Sequence, residues 1–248
     1  MTKIFVGYDN REDMAYRVCH SSILKNSPHL KSSDIIPLKH QSLRDDKKFW
    51  RTWRIDEDGQ YWDEIDGRPF STEFSFTRFL VPELARRNGI SHGPVVFVDC
   101  DFLFVGDIQE MIYDHYDPSM AVSVVKHNYK PKSMIKMDNK IQINYNMKLW
   151  SSLMIFNMDH PDNSKLNLAM VNSTTGSHLH QFGWLSCPEF IGDIDPSWNY
   201  IGKEDPAIKP NAIHYTEGGP WFAAYRDCPF ADLWLSELES LNSLRIKR

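Results

Sequence analysis

The chain has 248 residues, of which 42% are hydrophobic and 25% are charged, a composition that excludes a disordered or fibrous protein. Its 28 lysines and arginines stand against 33 aspartates and glutamates, and the net charge of −5 excludes a general attraction to nucleic acid or to an anionic membrane. Any phosphate group that the protein binds must therefore be held by a local site.

The cysteines and the apolar runs indicate the cellular compartment of the protein. The four cysteines lie far apart, without the Cys-x-x-Cys pairs typical of zinc or dithiol sites, so we interpret them as reduced thiols. The start of the chain lacks the pattern of a signal peptide, and no apolar run approaches the roughly 20 residues of a membrane helix. We expect a cytoplasmic protein without a transmembrane segment.

The beginning of the chain alternates between strand and helix patterns. Residues 3–7 predict a strand, a helix follows with apolar positions up to Leu24, and residues 34–38 predict a second strand. Residues 41–70 are polar and aromatic, and an Asp-Gly pair within them predicts a hairpin. We interpret this stretch as an insertion.

A helix is expected next. Ser71 or Thr72 can cap its start near Glu73, and apolar residues repeat at helical spacing until Gly89 ends it. Arg78 lies on this helix.

The strongest strand signal in the sequence is the apolar run at residues 94–98, typical of a strand buried on both faces of a largely parallel sheet. Further strands are expected at residues 121–125 and 152–156, and helices from residue 164, near residue 181 and over residues 230–244. This order predicts an α/β fold in a single domain, with a mixed, mainly parallel sheet flanked by helices and with insertions.

Two carboxylates follow the central strand directly. Asp99 and Asp101 stand at its carboxyl end, the edge where ligands of open α/β sheets bind. Carboxylates so close repel each other unless a cation or strong donors compensate them, and oxygen ligands suit Mg²⁺ or Mn²⁺. The alternative is that both residues only cap a turn or the following helix. Their place after an unbroken apolar strand favours the metal site.

A later segment supplies complementary groups. The imidazole of His214 can complete the coordination of an ion, and Gly218 and Gly219 allow the backbone to approach phosphate oxygens. By itself such a segment is more typical of a hydrogen-bonded histidine followed by a turn. Together with Asp99 and Asp101 it predicts one loop that serves a metal and a diphosphate.

These segments together resemble one enzyme family. Residues 5–10, residues 75–82, the strand with its two aspartates and the late loop with His214 are similar, in order and spacing, to family 8 of the glycosyltransferases. The resemblance implies a GT-A (Rossmann-like) fold, with a nucleotide-binding half at about residues 1–105 and an acceptor-side half at about 106–248. It implies a retaining transfer from a nucleotide sugar, which is usually UDP-linked in that family, to a hydroxyl of a carbohydrate or another acceptor.

The resemblance also implies roles for single residues. Mn²⁺ or Mg²⁺ would be held by Asp99, Asp101 and His214, and we expect Asp101 and Gln181 to be the catalytic residues. The positions implied for the donor are Gly7, Tyr8, Asp9 and Asn10 at the nucleoside, Arg78 at diphosphate or sugar oxygens, and Ser151 and Ser152 beside the sugar. Gly218 and Gly219 are expected at the phosphates, as argued above.

Two departures from the family pattern concern the donor. The family carries a lysine after its histidine, whereas Gly219 stands at that place here, so Lys203 or Lys209 is expected to replace it. His180 stands where the family has the aspartate of an Asp-Gln pair, which leaves open the residue that supports the β face of the sugar.

Two other functions compete with glycosyl transfer. One is a phosphohydrolase with Asp99 as nucleophile and Asp101 as acid, although such enzymes usually carry the motif on the first strand. The other is a non-catalytic protein that binds nucleotide sugars or glycans. The sequence contains neither Gly-x-Ser-x-Gly nor a P-loop, so the mechanism we expect needs no protein nucleophile: a donor phosphate oxygen takes the proton of the acceptor hydroxyl.

Overall fold

The computed structural model describes residues 2–128, 147–202 and 206–246, with side chains up to residue 243. The first elements are strand β1 (Ile4–Gly7), helix α1 (Asp13–Asn26), strand β2 (Ile35–Leu38), helix α2 (His40–Asp45) and three short strands, β3 (Trp53–Ile55), β4 (Tyr61–Asp63) and β5 (Pro69–Phe70). The middle of the chain forms α3 (Val81–Arg87), β6 (Pro94–Val98), β7 (Phe102–Phe104), α4 (Ile108–His115) and β8 (Val122–Val124). The last elements are β9 (Leu153–Asn157), α5 (Leu168–Ser173), α6 (Gly176–His180), β10 (Ile191–Asp193), β11 (Ala212–His214) and α7 (Ala231–Ile246).

A six-stranded sheet forms the centre of the fold, in the order β10-β8-β9-β6-β1-β2. β1 runs parallel to β2 and β6, and β8 runs parallel to β10. β9 is antiparallel to both of its neighbours. The mixed, mainly parallel α/β sheet expected from the sequence is confirmed, with strands from both halves of the chain. The organisation as one domain with two halves stays a prediction.

A second, two-stranded sheet extends the carboxyl edge of β6. β7 begins just after the two aspartates and pairs antiparallel with β11, in a register that places Phe102 opposite His214. The sequence analysis predicted neither strand, because each is only three residues long. This small sheet is what brings the late loop to the end of β6.

The helix expected from Glu73 begins later than predicted. Thr77–Leu80 forms a single 3-10 turn, and α3 begins at Val81. Pro82 explains the boundary, since proline has no amide hydrogen for an α-helical bond and is accepted only in the first turn. The amide of Glu73 donates instead to Oδ2 of Asp9 at 3.1 Å.

The helix expected from residue 164 is also shifted. Pro161–Lys165 forms a 3-10 turn, and α5 begins at Leu168. Asn167 caps this helix, because its side-chain oxygen accepts a hydrogen bond from the amide of Met170 at 3.0 Å.

The insertion of β3, β4 and β5 is anchored on the domain by a buried ion pair. Arg51 donates from Nε and Nη2 to both carboxylate oxygens of Asp63, at 2.7 and 2.8 Å. Its Nη1 donates to the carbonyl oxygens of Val171 and Thr174, at 3.1 and 2.6 Å. These bonds therefore fix the insertion against α5 and the residues that follow this helix.

Within the described ranges, no helix is both long enough and apolar enough to cross a membrane.

Candidate active site

The structure places Asp99 and Asp101 in a turn between β6 and β7. The amide of Asp99 donates to the carbonyl oxygen of Ser152 at 2.9 Å, which ties the turn to the start of β9. The side chain of Asp101 is 7% exposed and that of Asp99 is 13% exposed. Two acidic groups thus lie close together with little access to water, where compensation of their charge matters most.

The pairing of β7 with β11 carries His214 to these carboxylates. The amide of Tyr215 donates to the carbonyl oxygen of Asp101 at 2.9 Å, and Nε2 of His214 lies 3.3 Å from Oδ1 of Asp101. The ring of Phe102 stacks on the imidazole with the ring centres 4.2 Å apart. One ligand atom from each of Asp99, Asp101 and His214 lies within 4.8 Å of the other two. The structure therefore brings the three predicted metal ligands together.

This set of donors fits a divalent cation. Two carboxylates supply the hard oxygen ligands that Mg²⁺ and Mn²⁺ prefer, and the imidazole adds a nitrogen ligand that suits Mn²⁺ better than Mg²⁺. The spacing allows one ion to contact all three side chains.

Arg78 is engaged with the same turn. Its Nη1 lies 3.0 Å from Oδ1 of Asp99 and donates to the carbonyl oxygen of Ser151 at 2.8 Å. The guanidinium lies near the rings of Phe74 and Phe97, at 5.3 and 5.0 Å from their centres. Arg78 therefore offsets the charge of Asp99 and joins the end of β6 to the start of β9.

A cavity opens beside the carboxylates and extends between the insertion and α6. Its lining combines polar and charged residues with a group of aromatic and other apolar residues, and Asp66 and Arg68 of the insertion also line it. The polar and charged lining residues include Asp99, Asp101, Arg78, Lys148, Ser151, Ser152 and His180, and the apolar ones include Pro69, Phe70, Phe74 and Phe76. A cavity with apolar lining and converging polar groups is typical of a small-molecule site.

The sequence analysis did not identify Lys148. Its side chain is buried and lines the cavity. The reason is the direction of β9: because β9 is antiparallel to β6, the residues before it lie at the same edge as the end of β6. The sequence showed that β9 is a strand but not which way it runs.

No family model matches the chain. Protein CDI of Arabidopsis thaliana is 46% identical to it over 246 residues, which cover 97% of this chain and 87% of that protein. The chain belongs to the family of Protein CDI.

Solved structures show the fold of this CDI-family chain. The glycosyltransferase GlyE of Streptococcus pneumoniae TIGR4 superposes with a TM-score of 0.58 at 12% identity, covering 100% of this chain and 64% of that one. The galactosyltransferase LgtC, solved with donor and acceptor sugar analogues, gives 0.54 at 12% identity and covers 96% of both chains. A glycosyltransferase involved in glycosylation of the major capsid of PBCV-1 gives 0.52 at 11% identity, covering 97% of this chain and 98% of that one.

These likenesses confirm the expected GT-A fold. The CDI-family chain spans less than two thirds of the length of GlyE. The narrower assignment to family 8 of the glycosyltransferases stays a prediction.

The residues predicted for the nucleoside already have partners within the CDI-family chain. Phe74 packs on Gly7 so closely that a Cβ there would meet the ring at 2.6 Å. Asp9 is fully buried and pairs with Arg11, whose Nη2 lies 2.7 Å from Oδ2. Neither Gly7 nor Asp9 lines the cavity described above. Their part in nucleoside binding stays a prediction.

Tyr8 and Asn10 lie outside that cavity as well. The hydroxyl of Tyr8 donates to Oδ1 of Asp13 at 2.9 Å. Desolvation is the largest cause that raises the pKa of Tyr8 to about 12, and the carboxylate of Asp13 is the next. The side chain of Asn10 is exposed. Tyr8 therefore stays protonated at neutral pH.

The glycines of the late loop are buried by aromatic rings of the same segment. A Cβ on Gly218 would meet Tyr225 at 2.8 Å, and one on Gly219 would clash with the ring of Trp221. Gly218 also has a φ of 126°, a backbone conformation that favours glycine. The structure thus gives both glycines a packing function, and their contact with a diphosphate stays a prediction.

The structure separates Gln181 from the cavity and keeps its neighbour there. Gln181 ends α6 with an exposed side chain, whereas His180 lines the cavity. Lys209 is exposed, and Lys203 lies outside the described residues. The catalytic role of Gln181 and the replacement lysine stay predictions.

His180 is held in its neutral form. Desolvation is the largest cause that holds the pKa of His180 well below its usual value of 6.5. The positive charges of Arg78 and Lys148 lower this pKa further. Nδ1 of His180 lies 2.9 Å from Oγ of Ser151. An uncharged imidazole adds no positive charge to that of Arg78 and Lys148, which line the same cavity.

Proposed function

We propose that this protein is a metal-dependent glycosyltransferase, which transfers a sugar from a nucleotide sugar, UDP-linked in our proposal, to a hydroxyl of an acceptor. The observation that carries the proposal is the gathering of Asp99, Asp101 and His214, with both carboxylates lining a cavity, on a GT-A fold. The cytoplasmic location remains part of the proposal. All four cysteines are free thiols, which is consistent with it.

The cavity residues suit the donor. Arg78 and Lys148 line the cavity beside the carboxylates, and a diphosphate needs cationic donors close to its oxygens. Ser151 and Ser152 line the same wall. The sugar would lie against the rings of Phe70, Phe74 and Phe76, since the apolar face of a sugar packs well on aromatic carbon.

Bound Mn²⁺ or Mg²⁺ would neutralise the charge that grows on the departing nucleoside diphosphate. Asp99, Asp101 and His214 would hold it, and Arg78 would keep the carboxylate of Asp99 in place. The cavity walls would limit access of water and orient the acceptor hydroxyl towards the reacting carbon.

A retaining transfer without a protein nucleophile is the mechanism we propose. Among the described residues, every carboxylate that lines the cavity is engaged: Asp66 accepts the amides of Gly176 and Arg68, at 2.9 and 3.1 Å, and Asp99 faces Arg78. Asp101 faces His214. A donor phosphate oxygen is then the base that takes the proton of the acceptor hydroxyl, which attacks on the face from which the diphosphate departs.

A thermal-shift panel of nucleotide sugars, with and without Mn²⁺, tests the proposal. A true donor or UDP raises the melting temperature only when Mn²⁺ is present, because a ligand that binds the native state stabilises it in proportion to its occupancy. Incubation of the same samples should release UDP. Asp101→Asn and His214→Ala should lose both responses, and Asp114→Asn, an exposed carboxylate on α4, should keep them. Full retention of turnover in either site variant contradicts its assigned role.

The competing functions give different results in that panel. Release of phosphate from a generic phosphomonoester, without response to nucleotide sugars, indicates a phosphohydrolase. Mn²⁺-dependent binding of a nucleotide sugar without turnover, tested with a range of acceptors, indicates a non-catalytic binding protein.

A further inference from the structure

The imidazole of His214 is held by a chain of hydrogen bonds that ends at a main-chain carbonyl. Oγ of Ser152 donates to the carbonyl oxygen of Leu149 at 2.6 Å. Nδ2 of Asn199 donates to Oγ of Ser152 at 2.9 Å, and Oδ1 of Asn199 lies 2.8 Å from Nδ1 of His214. All three side chains are almost completely buried.

The direction of each bond in this chain follows from the one before it. A carbonyl oxygen only accepts, so the hydroxyl proton of Ser152 points to Leu149 and leaves the lone pairs of Oγ for Asn199. The NH₂ group of Asn199 must therefore face Ser152, and its oxygen must face His214. Since that oxygen only accepts, the neutral imidazole of His214 carries its proton on Nδ1 and presents the lone pair of Nε2.

The backbone keeps Asn199 and His214 side by side. Asn199 ends the 3-10 turn Pro196–Asn199, and the next residue, Tyr200, pairs with β11. The amide of Tyr200 donates to the carbonyl oxygen of Ala212 at 3.0 Å, and the amide of His214 donates to the carbonyl oxygen of Tyr200 at 2.9 Å. The two side chains therefore meet at a distance that the main chain determines.

The opposite tautomer of His214 would work against a cation. With the proton on Nε2, the ring would donate to Oδ1 of Asp101, which lies 3.3 Å away, and would direct an N–H group at the place where the ion must lie. That tautomer requires Asn199 to turn its NH₂ group towards the ring. Ser152 opposes this rotation, because its oxygen has no second proton to give.

We propose that Ser152 and Asn199 are positioning residues, which impose the tautomer of His214 that binds the divalent cation. The sequence analysis placed Ser152 beside the donor sugar, whereas its hydroxyl lies in this chain of bonds. The proposal rests on the proposed function for the identity of the cation, but the tautomer itself exists without it.

Nitrogen-15 NMR of histidine-labelled protein, recorded without metal at pH 8.5, tests the tautomer. The wild type should show His214 protonated on Nδ1. Ser152→Ala should shift the population towards the Nε2–H form, because Asn199 is then free to rotate. Ser27→Ala is the matched control: Ser27 is also fully buried, and its hydroxyl accepts from the amide of Ile108 at 3.1 Å, away from the site. This control should keep the wild-type tautomer.

Electron paramagnetic resonance of free Mn²⁺ measures the consequence for the cation. Ser152→Ala should raise the dissociation constant about tenfold, the effect usual for the loss of an outer partner of a metal-bound histidine, while Ser27→Ala should not change it. A wild type with the Nε2–H tautomer, or a Ser152→Ala protein with unchanged tautomer and Mn²⁺ affinity, overturns the inference. A wild type with the Nδ1–H tautomer that binds no Mn²⁺ supports the hydrogen-bond chain and overturns the proposed function.

Discussion

Nε2 of His214 lies 3.3 Å from Oδ1 of Asp101, although the two residues belong to distant parts of the sequence. Their contact depends on the pairing of β7 with β11, which sets Phe102 opposite His214 and joins the amide of Tyr215 to the carbonyl oxygen of Asp101. Main-chain pairing therefore determines which residues meet in the site, and side-chain contacts determine how their polar groups are oriented.

Arg78 should control how strongly the protein depends on a cation. Arg78→Gln leaves the mostly buried carboxylate of Asp99 without its guanidinium partner, which we expect to lower the free energy of unfolding by about 3 kcal/mol in the absence of metal. Mn²⁺ should then raise the melting temperature by more than it does in the wild type, because the ion replaces the lost positive charge. Differential scanning calorimetry with and without Mn²⁺ measures both effects.

Arg87→Gln is the control for that experiment. Arg87 pairs with Glu83 at 2.8 Å, but its side chain is 50% exposed. An Mn²⁺ response in Arg78→Gln no larger than in this control would show that Arg78 does not compensate the metal site.

His180 should make the protein sensitive to mild acid. The pKa of His180 in the folded state lies well below 6.5, its usual value in an unfolded chain. At a pH between the folded and the unfolded pKa, the unfolded chain therefore binds a proton that the folded chain does not bind. The free energy of unfolding should thus be highest above pH 6.5 and fall as the pH drops below it. Urea unfolding between pH 5 and 7.5 should show this decline in the wild type and a shallower one in His180→Gln. Equal slopes in the two proteins would disprove the assignment.

The ion pair of Arg51 and Asp63 should be a main support of the cavity wall. Both side chains are at most 1% exposed, and burial raises the pKa of Asp63 while Arg51 lowers it. Asp63→Asn should reduce the free energy of unfolding by about 3 kcal/mol, because it leaves the guanidinium buried without its counter-ion. Asp46→Asn makes the same substitution in the exposed pair with Lys48 and should cost less than 1 kcal/mol. Similar losses measured by urea unfolding would contradict this account.

The sequence predicted the parts of the fold that have strong periodic signals. The apolar run of β6 is buried on both faces, so its burial is visible in composition alone, and the aspartates after it mark the ligand edge of the sheet. The helix expected from Glu73 was placed too early, because the apolar spacing continues through residues that form a turn before Pro82.

Pairing and direction were not readable from the sequence. β7 and β11 are too short to show a pattern, and the antiparallel direction of β9 decides that Lys148 reaches the cavity. The contact of Asn199 with Nδ1 of His214 likewise has no signal in the sequence around either residue. Such contacts depend on three-dimensional placement, which no local spacing encodes.

The central claim is that Asp99, Asp101 and His214 bind one divalent cation together. Anomalous diffraction from crystals grown with Mn²⁺ and UDP tests it most directly. The account predicts an anomalous peak about 2.1–2.3 Å from one atom of each of the three side chains, with the diphosphate beside it. Anomalous density that lies beyond coordination distance of His214, or a UDP bound with no peak between the two aspartates, would contradict it.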